Sequence, residues 1–422
     1  MRLFFDKLLS LKQGEFRLLA LSFGFIFVLF SSYALLRPMR DALGLEGGKD
    51  ELKWLFLATF ASCIIASLVL MWLSTRIRRR FYTDFVFVFF ALNLIGFFVA
   101  MNAFETKSVE FVWLARAFYV WVSIFNLFAF SSAWSLIADI FSKEAGQRLF
   151  GIIAAGASLG SIAGASSVKI FANLIGASNL VFASVVLLLL GVVLKNLMIK
   201  ELGKLENSVN LARFDKTIGA KNPFIGFTLI AKSPYLLALC AFVLLLTSVS
   251  TFLYMEQARI VREAFATREA RMAAFANIDL VVQISALIIQ IFLTAKIAQF
   301  FKLTALLGVL GFVICAGFVV LIFTHPAFLP LAVVMSVRRV GEYALVKPGR
   351  EMLFVPLSSD EKYKVKSFID TVIYRGGDAL WAQFESLLAS VSITLVLGVG
   401  AFVSFVWGLL GVFLGKKYEK IT

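Results

Sequence analysis

Apolar runs of about twenty residues recur from Phe16 almost to the C-terminus, separated by short polar stretches. About twenty apolar residues in an α-helix cross the ~30 Å hydrocarbon core of a bilayer. A transmembrane β-barrel would show alternating segments of about ten residues instead. The pattern therefore predicts an all-α polytopic membrane protein. Its twelve transmembrane helices fall at 17–37, 52–74, 82–103, 110–140, 148–172, 178–199, 234–258, 272–296, 303–323, 328–349, 367–388 and 391–415. The polar stretch 200–233 divides them into a six-helix half at 16–199 and another at 234–415, followed by a tail at 416–422. The opening MRLFFDKLLSLKQGE (1–15) is too short and too charged to span, so it is expected to lie in the interface as an amphipathic helix.

Charge adds orientation. The 422 residues carry a formal charge of +15, which in a soluble chain would suggest nucleic acid. Here the basic residues cluster in particular loops. RIRRR (76–80), Lys143 with Arg148, six Lys and Arg between 200 and 233, Lys362 with Lys364 and Lys366, and the tail all fall on one side if the N-terminus does. The positive-inside rule then places both termini and the linker in the cytoplasm. The expected partners are the lipid bilayer and a small-molecule anionic substrate, with no nucleic acid, for a chain acting as a monomer. Cys63, Cys240 and Cys315 lie in apolar runs, with neither a disulfide framework nor a metal-ligand spacing. No cofactor is expected. An enzyme is excluded because no nucleophile has a base beside it.

Candidate chemistry lies in charges within the spans, which are expensive there and usually face a cavity or a partner. Span 1 ends in Arg37, Arg40 and Asp41; span 4 holds Arg116, then Ser123 and Asn126 on nearly the same face. Glu256 and Arg259 close span 7, Asp279 lies in span 8, and Arg338 and Glu342 are four apart in span 10. Span 11 has Lys366, Asp370, Tyr374 and Asp378 at steps of four, a spacing that predicts one stripe, and then Glu385. Arg37, Arg40, Arg116, Ser123, Asn126, Arg338, Glu342, Arg375 and Asp378 are the expected substrate contacts. Glu256, Asp279, Lys366, Asp370 and Glu385 are the expected coupling or gating groups. Gly156, Gly160 and Gly164 make a small-residue face in span 5, read as packing, with a sliding contact between moving halves as the alternative. His325, the only histidine, is expected at the surface of an outer loop.

Six spans, a polar loop of 34 residues and six more resemble the major facilitator architecture, in which the substrate site lies between the halves near the midplane. More specifically, PGREMLFVPLSSDEKYKVKSFIDTVIYRGG (348–377) resembles the eleventh-span region of the ADP/ATP translocases of plastids and obligate intracellular bacteria. YALLRPMRDALG (33–44), SKEAGQRLFG (142–151) and KQGEFRLLAL (12–21) are similar to other stretches of that family. The family's first-span lysine falls on Arg40, its span-4 glutamate on Ser123, and its span-11 lysine on Asp378, a reversed charge. The resemblance implies a divergent member in a bacterial inner membrane that exchanges a nucleotide or another phosphorylated or organic anion by alternating access. The alternative is a proton-coupled transporter or exporter of a different small solute, with Asp378, Glu385 and Asp279 carrying the coupling.

Overall fold

A computed structural model describes residues 15–48, 51–106, 108–141, 143–205, 212–217, 229–292, 302–354, 365–366 and 368–420. The expected interfacial segment, apart from Glu15, lies outside the described residues, as do Lys221, Lys362 and Lys364. The described chain is helical almost throughout. The helices are α1 (Glu15–Leu43), α2 (Glu51–Ser74), α3 (Arg79–Ala103), α4 (Val109–Ile140), α5 (Lys143–Ile175) and α6 (Ala177–Leu205), then α7 (Pro234–Ala264), α8 (Arg268–Phe292) and α9 (Leu303–Thr324). The tenth, α10, runs through Phe328–Gly341, a π-helical turn at Glu342–Val346, and Lys347–Met352. The eleventh, α11, opens with a π-turn at Ile369–Ile373 and continues as Tyr374–Val391; α12 is Ile393–Glu419.

Ten of these helices are long and apolar enough to cross a membrane by length and composition. The exceptions are α10 and α11. The first has 14 α-helical residues before its π-turn, and the second carries Arg375, Asp378 and Glu385 within its 18. Helices suit this setting because every backbone polar group inside lipid must be satisfied within the chain. The ends are built accordingly: Ser108 caps α4 by accepting from the Phe111 amide, and Ser233 caps α7 ahead of Pro234. Gly176, at φ 81°, makes the tight turn between α5 and α6. The first helix runs six residues past its expected end, so Arg37, Arg40 and Asp41 are all helical.

The chain forms two compact units. One comprises Met1–Glu46, Ile65–Lys221 and Arg268–Gln283; the other comprises Gly47–Ile64, Asn222–Thr267 and Ile284–Thr422. Each sequence half thus contributes one segment, the start of α2 or of α8, to the unit built mainly from the other. Packing within the units repeats at a six-helix interval. In the first, α1 packs on α4, α5 and α6, and α3 packs on α4 and α6. In the second, α7 packs on α10, α11 and α12, and α9 packs on α10 and α12.

Small residues permit the closest approaches. A Cβ on Gly156 or Gly160 would strike the backbone carbonyl of Phe23 or Phe27 in α1, and one on Gly164 would meet the Ser31 carbonyl. The Ser31 hydroxyl donates to the Gly160 carbonyl at 3.0 Å. The stripe therefore faces α1 of its own unit, and packing accounts for it. Substituting Gly160→Ala should destabilise the protein by about 1–3 kcal/mol, as overpacking does. An unchanged melting temperature in detergent would remove this account. The sequence reading missed a second such contact, where Gly308 and Gly311 of α9 meet Gly408 and Gly411 of α12.

RIRRR does more than set topology. The Arg79 amide donates to the Lys216 carbonyl at 2.9 Å, Arg80 pairs with Asp215 at 3.2 Å, and Phe214 is buried. Arg79 also pairs with Asp139 of α4, at 3.2 Å. Beside them Lys195, buried in α6, donates to Asp84 at 2.5 Å and to the Arg80 carbonyl at 2.6 Å. The described part of the linker is thus tied to the α2–α3 loop.

Candidate functional site

In the first unit, the last two turns of α1 carry the charges. Arg40 donates through Nε and Nη2 to Asp41 Oδ1, at 2.9 and 2.6 Å. Its guanidinium lies 5.1 Å from the centre of the Tyr119 ring, and Nη1 reaches Ser123 Oγ at 3.5 Å. Gly44 leaves room for that ring, because a Cβ there would clash with it. Ser123 and Asn126 lie on the α4 face that meets α1, and Asn126 donates to the Tyr33 hydroxyl at 3.2 Å. One turn before Arg40, Arg37 lies 3.5 Å from Asp279 of α8. Arg268 of α8 donates to Glu46 at 3.0 Å and stacks over Phe111. Arg116 instead stacks over Trp113, whose ring is exposed on the helix surface.

In the second unit two groups form. The first lies on α7, α10 and α11. Asp378 is buried; its Oδ1 accepts from Thr251 of α7 at 3.2 Å, and its Oδ2 lies 3.9 Å from Arg375. Gly377 lets α11 approach this closely, because a Cβ there would meet Thr247 and Leu244. Gly376 faces Phe60 of α2, and the Trp381 indole donates to the Leu244 carbonyl at 2.8 Å. On α10, Arg338 and Glu342 are both buried and bonded at 2.9 Å. Glu342 opens the π-turn, a feature frequent at functional sites.

The second group lies where α7, α9 and α11 end. Glu256, 1% exposed, pairs with Arg259, and Arg259 also donates to Glu385, 0% exposed, at 2.8 Å. His325 Nε2 stands 2.7 Å from Glu256 Oε1. The histidine expected on an outer surface therefore packs against a buried carboxylate. Its loop position hid this, because the acid it meets lies about seventy residues earlier, on another helix.

The predicted stripe on span 11 is kept between Tyr374 and Asp378, four apart in regular α-helix, and is interrupted before them. Lys366 pairs with Glu351 at 2.7 Å, and Asp370 pairs with Arg350 at 3.2 Å, instead of with one another. The π-turn at Ile369–Ile373 is the reason: it winds i to i+5, so residues four apart there no longer share a face. Arg338 with Glu342, Arg375 with Asp378, Arg40 with Ser123, and Arg37 with Asp279 are each brought together. Glu256 and Glu385 share one arginine. The sequence reading missed Thr251 and Tyr119 as contacts and gave His325 no partner; none of the three carries a fixed charge to flag it.

Residues 17–346 match a family model described as Major Facilitator Superfamily. No curated protein matches the chain. Solved structures share the fold. A peptide transporter POT in complex with sulfate is 16% identical, with 96% of this chain and 95% of that chain covered, at a TM-score of 0.67. A POT family transporter in complex with 5-aminolevulinic acid is 12% identical, with 95% and 96% covered, at 0.67. Another, in complex with a thioalcohol conjugated peptide, is 15% identical, with 97% and 99% covered, at 0.68.

Proposed function

The chain belongs to the Major Facilitator Superfamily, and we propose that it is a proton-coupled transporter of a small organic solute that is neutral or carries both signs of charge. One observation carries this reading. Four candidate arginines, Arg37, Arg40, Arg338 and Arg375, stand beside four carboxylates, Asp279, Asp41, Glu342 and Asp378. Each of these arginines has an acid within 4 Å. A nucleoside di- or triphosphate brings several negative charges and needs cations in excess, usually as forks held open for phosphate oxygens. Here those forks are already engaged with acids. Nucleotide exchange, the reading implied by the translocase resemblance, thus lacks its binding chemistry in this arrangement.

Paired charges of this kind suit a solute with an amine and a carboxylate. Each end can take over one member of an existing ion pair, so no charge is left buried and uncompensated. On this reading the candidate substrate contacts are Arg375 with Asp378 and Thr251 in the second unit and, taken by itself, Arg40 with Ser123 in the first. Arg338 and Glu342 shape the helix beside them. Energy comes from protons, since buried carboxylates within spans are the usual relays. The basic loops favour both termini and the linker on the cytoplasmic side, and the translocase resemblance favours a bacterial inner membrane.

The test uses proteoliposomes with a trapped pH dye. Zwitterionic amino acids, small peptides and amino-keto acids are added in turn, beside ATP and ADP. The expected result is acidification of the lumen with one zwitterionic class. Neither nucleotide should give acidification, nor counterflow when nucleotide is loaded inside. Nucleotide counterflow would overturn the reading.

A further inference from the structure

We propose that the α2–α3 turn, with the linker segment 212–217 docked on it, binds the headgroup of an anionic phospholipid. The contacts are Arg76, Arg78 and Lys216. The ligand is a phosphodiester with one net negative charge and two acyl chains. The site is separate from the charged centres described above and stands whatever solute is carried.

Charge pairing singles it out. Three cations at this turn meet three acids: Arg79 lies 3.2 Å from Asp139, Arg80 lies 3.2 Å from Asp215, and Lys195 lies 2.5 Å from Asp84. Arg76, Arg78 and Lys216 are left over. All three are exposed, and among the described residues none of them has an acid partner. The linker fixes where they stand. Arg78 forms a backbone bridge with Thr217, the Arg79 amide donates to the Lys216 carbonyl at 2.9 Å, and Phe214 is buried beneath. Like charges held close together repel, and an anion shared between them removes that cost.

The surroundings say which anion. The Arg76 guanidinium lies 5.7 Å from the centre of the Trp72 ring, and that of Arg80 lies 5.1 Å from the Phe81 ring. Both rings are exposed. Stacking engages the face of a guanidinium and leaves its N–H edge for phosphate oxygens. Tryptophan at the end of a span marks the depth of the headgroups. From there exposed apolar side chains continue along both helices, Leu68 and Val69 on α2, and Phe85, Val88 and Phe89 on α3. A soluble polyanion makes no use of such a surface, whereas acyl chains cover it. A zwitterionic headgroup brings its own cation. An anionic one leaves its phosphate charge to the three cations here.

The experiment uses the full chain in neutral detergent, with native mass spectrometry reporting bound lipid. Phosphatidylglycerol and phosphatidylcholine of the same chains are offered separately, and inorganic phosphate is added as a competitor. Phosphatidylglycerol should be retained at least about tenfold more tightly than phosphatidylcholine, and inorganic phosphate at the lipid's concentration should not displace it. A basic side chain at a membrane surface contributes about fivefold in affinity for anionic lipid. Arg76→Gln with Arg78→Gln should therefore weaken phosphatidylglycerol binding by about thirtyfold. Lys216→Gln should weaken it by about fivefold, and it serves if the double variant does not fold. Lys416→Gln with Lys417→Gln removes the same charge from the end of α12 and should leave binding unchanged.

Equal loss in that tail variant would show general attraction to a basic chain and overturn the site. Unchanged binding in the Arg76 and Arg78 variant would overturn it too, as would equal retention of phosphatidylcholine. Displacement by inorganic phosphate would make this a site for the free anion and overturn the lipid assignment.

Discussion

Glu342→Ala should cost about 3–5 kcal/mol of stability, and Arg338→Met combined with Glu342→Leu should recover most of it without restoring transport. Both members of the pair are buried, at 5% and 9% exposure, and Arg338 Nη1 donates to Glu342 Oε2 at 2.9 Å. Removing the acid strands a guanidinium whose Nε has no hydrogen-bond partner among the described residues. That uncompensated charge is the source of the cost. Replacing both side chains with apolar ones of similar volume removes the charge altogether, which is often neutral or stabilising. The pair therefore serves something other than stability. It sits where α10 leaves the α-helix for the π-turn at Glu342–Val346. The measurement is the thermal unfolding midpoint of the three proteins in one detergent, with solute-driven proton flux beside it. A Glu342→Ala midpoint equal to the wild type would mean that water solvates the arginine. A double variant that transports normally would remove the pair from the mechanism.

The helices were legible because an apolar run of bilayer length has one economical conformation, and all twelve were placed within a few residues where they begin. Partnerships across helices were less legible. Arg338 with Glu342 could be read from a spacing of four, since α10 is an ordinary helix up to that point. Lys366 with Asp370 could not, because a π-turn nowhere visible in the residue pattern shifts the register. The glycine face of α5 showed as a repeat of four on one helix. The α9–α12 contact is shared between two helices about a hundred residues apart, and neither half of it forms so regular a pattern. His325 does lie in the loop after α9, with its side chain 27% exposed, but loop position gave no sign of its neighbour Glu256. Lys195 lay in an apolar span without drawing notice, yet it is almost fully buried against Asp84. Charges were thus easy to find and hard to pair.

Asp378→Asn should keep the fold and lower solute-driven proton flux by about a hundredfold. The amide retains the shape and can still accept from Thr251, which now bonds Oδ1 at 3.2 Å. What it loses is the negative charge facing Arg375, 3.9 Å away. Arg375 is nearly a quarter exposed, so the structural penalty is small. The functional penalty is larger, because the carboxylate is proposed to take the cationic end of the solute. Removing one member of a buried, hydrogen-bonded charge pair costs about 2–5 kcal/mol of binding, and about 2.7 kcal/mol, in the lower half of that range, gives the expected factor. Full flux in Asp378→Asn would move the cationic contact elsewhere. The opposite change asks a different question. Asp378→Lys puts a cation where the translocase resemblance has one, and removes the acid that faced Arg375. If binding follows charge balance, this variant should lose zwitterion transport and become the only form of the protein to show ATP or ADP counterflow. Counterflow in the wild type as well would show that the paired arginines can release their acids for phosphate, and the balance argument would then fail at its first step.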